Sequence, residues 1–388
     1  MKIIIAPDSF KGSMSAAAAA LAIDKGFRRY MPNVQTVRIP VADGGEGTID
    51  CLIEGIGGVS NPVIVTGPLG NRIEARYGAI KSGSVAVIEM ACASGICLIP
   101  QDQRNPLITT TYGTGELISK ALDAGYREFI LAIGGSATLD GGAGMLQALG
   151  MRLVDEAGED VSWGGGALDK IVTIDNRGWD SRIAESRFLI ASDVQNPMIG
   201  PEGAVHVFGP QKGATPVMIN QLERNMTHWA DLIEAHTGMH LHDKPGAGAA
   251  GGLGGAFLAF FPAKLQRGID VVIEYSSLRQ HLVDAELVIT GEGRIDNQTV
   301  SGKTPMGIAQ EAQKFNVPTI AFAGSVGQGI ERLYDVGIHS VHSIMTGPMP
   351  LEEAMKQAPE LLEQASEQLI RTLSMKLQKG ILASAQVK

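Results

Sequence analysis

Lys2-Ile3-Ile4-Ile5-Ala6-Pro7-Asp8-Ser9-Phe10-Lys11-Gly12-Ser13 is the stretch that decides the architecture. Lys2–Ala6 is apolar without alternation, as expected for a strand buried on both faces. Pro7–Ser13 is polar and ends the strand. The alanine-rich run Ala16–Ala22 then favours a helix, with Ser13 or Ser15 placed to cap it. Strand, polar loop and helix together make the opening of a parallel α/β sheet.

The same order of residue types returns twice over. Val37–Val41 reads as a second strand, followed by the turn Asp43-Gly44-Gly45 and another helix. Near the C-terminus Ala285–Thr290, Pro318–Ala323 and His339–Met345 read as strands, each leading into a glycine-containing loop and a helical pattern. The last helix carries Leu361, Leu362, Ala365, Leu369, Ile370 and Leu373 on one stripe, with Pro359 in its first turn. Two strands at the start and three at the end predict one Rossmann- or flavodoxin-like parallel sheet. Residues 1–60 and 285–388 are therefore expected to form one discontinuous domain. Residues 61–284 are expected to form an inserted, mixed α/β domain, with an active site in the cleft between the two. In the insertion, Val63–Thr66, Asn71–Ile80 and Ser84–Met90 read as antiparallel hairpins. Phe129–Ile133, Phe188–Ser192 and Val205–Phe208 read as further strands.

Composition narrows the function classes. A chain of 388 residues exceeds what one core usually serves, which supports two domains. With 44% apolar and 19% charged residues it is an ordinary globular protein. A net charge of −9 argues against nucleic acid as a partner, because phosphate-backbone affinity comes mostly from Lys and Arg. A small anion needs only a few cations at one place. Cys51, Cys92 and Cys97 form neither an even-numbered framework nor a metal-ligand spacing, so reduced and mostly buried thiols are expected. Asp8 and Lys11 interrupt the N-terminal apolar run, so no signal peptide is expected, and a cytoplasmic enzyme is the resulting reading. The charge-free stretch Gly246–Ala263 is too rich in glycine for a membrane helix and reads as close-packed backbone.

Five segments place small and polar residues where apolar strands end, the edge at which open α/β sheets bind ligands. Pro7–Ser13 offers Lys11 and helix-opening amides to an anion, and Asp8 as a base or metal ligand; a structural turn explains it equally well. Ala42–Thr48 holds Asp43 and Glu46 among three glycines, which a turn requiring positive φ explains only in part. Gly134–Gly142 follows a strand and resembles a phosphate cradle. Ser192–Pro197 with Phe208–Gly213 supplies Asp193 and Lys212. Gly291–Asp296 with Gln298 and Gly302–Thr304 supplies Glu292, Arg294, Asp296 and Lys303. Gly302-Lys303-Thr304 is not a Walker A loop, since Asn297 stands where that motif needs glycine. Gly246–Gly251 fits GxGxxG but follows Pro245 and a polar stretch rather than a strand. Gly134–Thr138 fails as a GxSxG elbow at Thr138. His236, His240 and His242 lack the HExxH pattern and read as surface histidines.

Taken in order, APDSFKGS, PVADGGEGT, YGTGEL, IGGSATxDGGAGM, SDVxNP, VFGPQKGA, PGAGAAGG and TGEGRIDxQTxxGK resemble the type I (bacterial) glycerate kinase family over residues 3 to about 345. The resemblance implies ATP-dependent phosphorylation of D-glycerate to 2-phosphoglycerate with a divalent cation, Mg2+. Leu139 stands where members commonly carry Asn, and Gln195 where Thr is common. Such chemistry asks for positioning, charge neutralisation and an acid to take a hydroxyl proton. Asp193 or Asp296 is accordingly expected as base and metal-facing acid, with Lys11 as the catalytic cation. Asp8, Ser9, Asp43, Glu46, Lys212 and Arg294 are expected on the substrate. Gly134, Gly135, Ser136, Thr138, Gly141, Gly142, Glu292 and Lys303 are expected on the nucleotide. The residues leave open phosphorylation of the 3-hydroxyl or of another hydroxy acid, and association into a homo-oligomer. A hydroxy-acid dehydrogenase and a non-catalytic ligand-binding protein are the rival classes.

Overall fold

The computed structural model describes residues 1–45, 47–81, 83–297, 299 and 304–385, the last ten as backbone only. In chain order its strands are β1 (Lys2–Ile5), β2 (Gln35–Arg38), β3 (Gly58–Thr66), β4 (Arg72–Ile80), β5 (Val85–Glu89), β6 (Glu128–Ala132) and β7 (Arg152–Val154). β8 (Thr173–Asp175), β9 (Arg187–Ala191), β10 (Ala263–Gln266), β11 (Leu287–Ile295), β12 (Thr319–Val326) and β13 (Ile338–Ser343) follow. The chain forms two compact units, one of Met1–Asp43, Glu54–Ile56 and Val272–Lys388, the other of Gly44–Ile53 and Gly57–Val271. The expected insertion was 61–284; the observed passages between units fall at Asp43/Gly44 and Val271/Val272, with a brief return at 54–56.

In the first unit five strands pair in the order β13-β12-β11-β1-β2, all parallel, with Ile3 opposite both Leu287 and Thr36. Counted within the unit this is the 2-1-3-4-5 order of doubly wound sheets, whose reversal point lies between β1 and β11. The continuous apolar runs have a direct cause: both faces are covered. Ile320 and Phe322 join a cluster with Ala19, Ile23, Phe27, Leu362 and Ile370 on one face. Ala321 and Ala323 join Ile295, Ala309 and Leu333 on the other. The helix Ala16–Tyr30 starts at Ser15, whose hydroxyl accepts from the Ala18 amide at 3.2 Å. Its Gly26 lies so close to the helix Ala358–Ala385 that a methyl group would collide with the Glu363 carbonyl.

Two expectations in this unit change. The glycine segment after Thr290 is not a loop: β11 runs through Gly291–Ile295 and pairs with β12 as far as Ile295 opposite Val326. Gly291 permits that pairing, because a side chain there would meet the Phe322 carbonyl. β12 likewise continues through Gly324-Ser325.

The second unit holds a six-stranded mixed sheet in the order β10-β9-β6-β5-β4-β3. β3, β4 and β5 are antiparallel, while β5, β6, β9 and β10 are parallel. The segment read as a strand at 205–208 is a short helix, Ala204–Phe208. A run of four or five apolar residues has no period that separates the two. Phe129 and Phe188 stack at 4.7 Å between ring centres, with Phe261 edge-on to Phe188 at 5.0 Å, inside one large core. Gly246–Gly255 is close-packed backbone as expected: Gly248 lies against the Pro197 carbonyl and Gly251 against that of Thr138. Among the described residues no helix is long and apolar enough to cross a membrane.

Candidate active site

At the reversal point of the first unit, β1 ends and the chain turns so that the Asp8 amide donates to the Gly291 carbonyl on β11 at 2.8 Å. The Asp8 carboxylate is buried; it accepts from the Ser9 amide at 2.6 Å and from the Thr304 hydroxyl at 2.7 Å. Burial, then the neighbouring charge of Asp43, push its pKa up to about 6, against the opposing pull of Thr304, Ser9 and Lys11. The Lys11 ammonium sits 2.8 Å from the Asp43 carboxylate. Partial loss of water opposes the Lys11 charge, but Asp43, then Asp8 and Glu292, outweigh it, and the net shift is upward. The Lys11 side chain is largely solvent-exposed, so salt will screen that attraction.

Strand alternation puts Glu292 and Arg294 on one side of the β11 end, and Asp296 follows the strand by one residue. Glu292 is buried and accepts from the Thr299 hydroxyl at 2.8 Å, and that hydroxyl also receives the Asp296 amide at 3.3 Å. Exposed Arg294 pairs with Asp296 at 2.9 Å. Asp8, Ser9, Lys11, Asp43 and Glu292 are therefore gathered within one electrostatic neighbourhood, with Arg294 and Asp296 adjoining through Thr299.

In the second unit the parallel strands present their carboxyl ends side by side, with Glu89 opposite Ala132 and Ala132 opposite Ala191. Gly134 and Asp193 each follow such an end by two residues. The Gly134 amide donates to the Gly44 carbonyl at 3.3 Å, and a methyl on Gly134 would meet the Gly45 α-carbon at 2.9 Å. Lys212, 2% exposed, donates to the Ser136 hydroxyl at 2.6 Å and the Thr138 carbonyl at 2.7 Å. Burial lowers its pKa to about 7, while the charge of Asp140 works in the opposite direction. The third ammonium proton has no partner among the described residues, and neither does the buried Thr138 hydroxyl oxygen. An anion would satisfy both donors.

The second half of the glycine loop departs from the expected cradle. Asp140, fully enclosed, accepts from the Thr111 amide at 2.7 Å and hydroxyl at 2.8 Å, and from the Gly142 and Gly144 amides at 3.2 and 3.4 Å. Gly141 donates its amide to Gly251 at 3.0 Å, holds φ at +60° and packs under the Trp229 indole. The amides of Gly141 and Gly142 are thus spent on an internal carboxylate and a neighbouring backbone, and the glycines serve packing. Gly134–Thr138 with Lys212 is the part left to meet a ligand.

Asp193 also has a structural partner, since it accepts from the Gly268 amide at the start of the helix Gly268–Tyr275 at 2.9 Å. Glu46, Gln298 and Lys303 lie outside the described residues. Sequence reasoning passed over Glu89. It ends β5, is buried, and accepts from the Ile49 amide at 2.6 Å in the first turn of the helix Thr48–Ile56. Its pKa is raised, chiefly by burial. The signal was present: an acid closing the apolar run Val85–Ile88 at a strand's carboxyl end. Glu89 also helps hold the Cys92 thiol, after burial itself, up at about 12, which makes that cysteine unreactive. None of the three cysteines forms a disulfide; Cys51 is buried, Cys92 half-buried and Cys97 exposed, so burial of the thiols is less general than expected.

Known proteins match this chain in sequence and in fold. The pattern of the glycerate kinase family matches residues 3–374. Glycerate kinase of Bacillus subtilis (strain 168) is 51% identical over 375 residues, covering 97% of this chain and 98% of its own. Glycerate 2-kinase of Escherichia coli (strain K12) is 46% identical over 375 residues, with the same coverage of both chains. A crystal structure from Salmonella typhimurium LT2, provisionally named glycerate kinase 2, superposes with a TM-score of 0.86 at 47% identity, covering 97% of this chain and 99% of that one. The chain belongs to the glycerate kinase family.

Proposed function

We propose that this chain transfers the γ-phosphoryl group of ATP to the 2-hydroxyl of D-glycerate, with Mg2+ as the divalent cation. One observation carries the reading: a buried acid of raised pKa and an ion-paired lysine stand at the reversal point of the parallel sheet, the position where such sheets bind ligands. Asp8, with a proton affinity near 6, is suited to take the hydroxyl proton as the oxygen attacks phosphorus. Lys11 and Arg294 meet the glycerate carboxylate, and Asp43 and Ser9 its hydroxyls. Lys212 and Ser136, with the backbone of Gly134–Gly135, meet phosphate oxygens, and the unpartnered Thr138 hydroxyl supports that role.

The acids of the first unit are an oxygen-only donor set, which fits a hard ion such as Mg2+. Asp296, or Asp193 of the second unit, is assigned to hold it. When bound, the ion would neutralise charge on the transferred group. The dehydrogenase reading has lost its sequence support, since Gly248 and Gly251 of the GxGxxG match are spent on backbone packing.

The test is ADP release from ATP with D-glycerate, with the product identified by phosphorus NMR. We expect 2-phosphoglycerate. A 3-phosphoglycerate product would overturn the choice of hydroxyl, and absence of glycerate-dependent ADP release would overturn the reaction. Asp193→Asn and Asp296→Asn should each lower kcat by orders of magnitude without unfolding. Near-normal turnover in both would remove them from the metal site.

A further inference from the structure

The histidines read as surface residues are placed unequally. The helix Pro216–Thr237 ends at Gly238, whose φ of +75° reverses the chain and brings Met239–Asp243 back beside the last turns. Leu241 is fully buried and anchors the return, leaving His240 and His242 on the other side with rings stacked 4.4 Å apart. His236 takes no part and lies near Phe260. Glu234 Oε2 is 2.9 Å from His240 Nδ1 and 3.7 Å from His242 Nδ1, and one ligand atom from each of the three residues lies within 4.8 Å of the other two.

A second observation is independent of that clustering. His242 Nε2 is 2.7 Å from the Asp231 carboxylate, an acceptor that calls for the ring proton on Nε2 and, in the neutral ring, leaves the lone pair on Nδ1. Nδ1 is buried and has no hydrogen-bond partner among the described residues. A lone pair therefore faces a carboxylate oxygen across 3.7 Å, two acceptors with no donor between them.

We propose that Glu234, His240 and His242 bind a borderline transition-metal ion, Zn2+ first among them, with water completing the coordination. Metal–nitrogen distances near 2.0–2.1 Å put tetrahedral ligand atoms about 3.4 Å apart, close to both distances from Glu234, and the exposed His240 ring turns out of its 18° stack on His242 so that the two lone pairs meet at the ion. Asp231 acts as a positioning residue, the carboxylate–histidine–metal arrangement that orients a ligand ring. Two imidazoles and one carboxylate differ from the oxygen-only acids of the first unit, so this site selects against Mg2+. The ion would clip the end of a long helix to its returning chain.

The experiment uses the full chain without a polyhistidine tag, titrated with Zn2+ by calorimetry and with Co2+ by visible absorption. We expect one ion per chain, tetrahedral Co2+ absorption, and at least about tenfold weaker binding in His240→Ala, Glu234→Gln and Asp231→Asn. Because His240 is exposed, His240→Ala should fold normally and keep full kinase turnover. Stoichiometric binding that persists in His240→Ala and Glu234→Gln would overturn the site. So would absence of saturable uptake, or an NMR titration showing His242 doubly protonated near neutral pH between its two carboxylates.

Discussion

Asp8 and Asp140 are two buried acids, each in a strand-to-helix segment rich in glycine and serine, and burial raises the pKa of both. Their surroundings differ. Asp140 is enclosed by four donors from Thr111, Gly142 and Gly144, so its carboxylate organises the loop around it. Asp8 has two donors and stands against the charge of Asp43. A fully satisfied acid is spent on architecture, whereas an acid left in like-charge repulsion keeps free energy available for chemistry.

The largest effect should come from the satisfied acid. Asp140→Ala strands four donors in the core, each costing about 1–3 kcal/mol, so we expect a loss of at least about 4 kcal/mol and poor recovery of folded protein. A denaturation midpoint close to that of the parent chain would dissolve the contrast.

The poised acid should appear in the pH profile. With Asp8 as base, kcat/KM falls about tenfold per pH unit below about 6 as its carboxylate is protonated. Stability runs the other way. The folded pKa lies above the unfolded value, so the Asp8 contribution is greatest at low pH and is lost as pH rises from 3.8 through about 6. Asp8→Asn should abolish both trends.

Lys212 carries the same comparison to a cation. Its folded pKa, near 7, lies below the ordinary 10.5, so the unfolded chain binds more protons between those values and stability rises with pH there. The slope approaches about 1.4 kcal/mol per pH unit at most, and Lys212→Met should remove it while lowering affinity for ATP. A slope unchanged in the variant would mean Lys212 is charged throughout. The smallest effect belongs to Lys11. Its pair with Asp43 is exposed, so Lys11→Ala should change stability by less than about 1 kcal/mol yet raise KM for glycerate, read from steady-state kinetics.

Much of this was visible in the residues. Ile3–Ala6 announced a doubly covered strand because every position is apolar, and the three C-terminal runs gave the parallel sheet. Val205–Phe208 misled because so short a run carries no period. Gly291–Ile295 misled because glycine signals a loop, whereas here it lets β11 approach β12. Asp140 stood inside a motif already singled out, but its partner Thr111 lies 29 residues away, and no local spacing reveals that closure. Glu89 carries a weaker signal, a lone acid at the end of the apolar run Val85–Ile88, where burial dominates the pattern.

The most direct measurement is kcat and thermal midpoint of Asp8→Asn in one preparation. We predict turnover reduced by about 10²–10⁴-fold, with a midpoint equal to or slightly above that of the parent chain, because asparagine keeps the Thr304 contact and removes the repulsion from Asp43. Near-normal turnover, or a collapse in stability of the kind expected for Asp140→Ala, would show that Asp8 is an architectural acid and contradict the account.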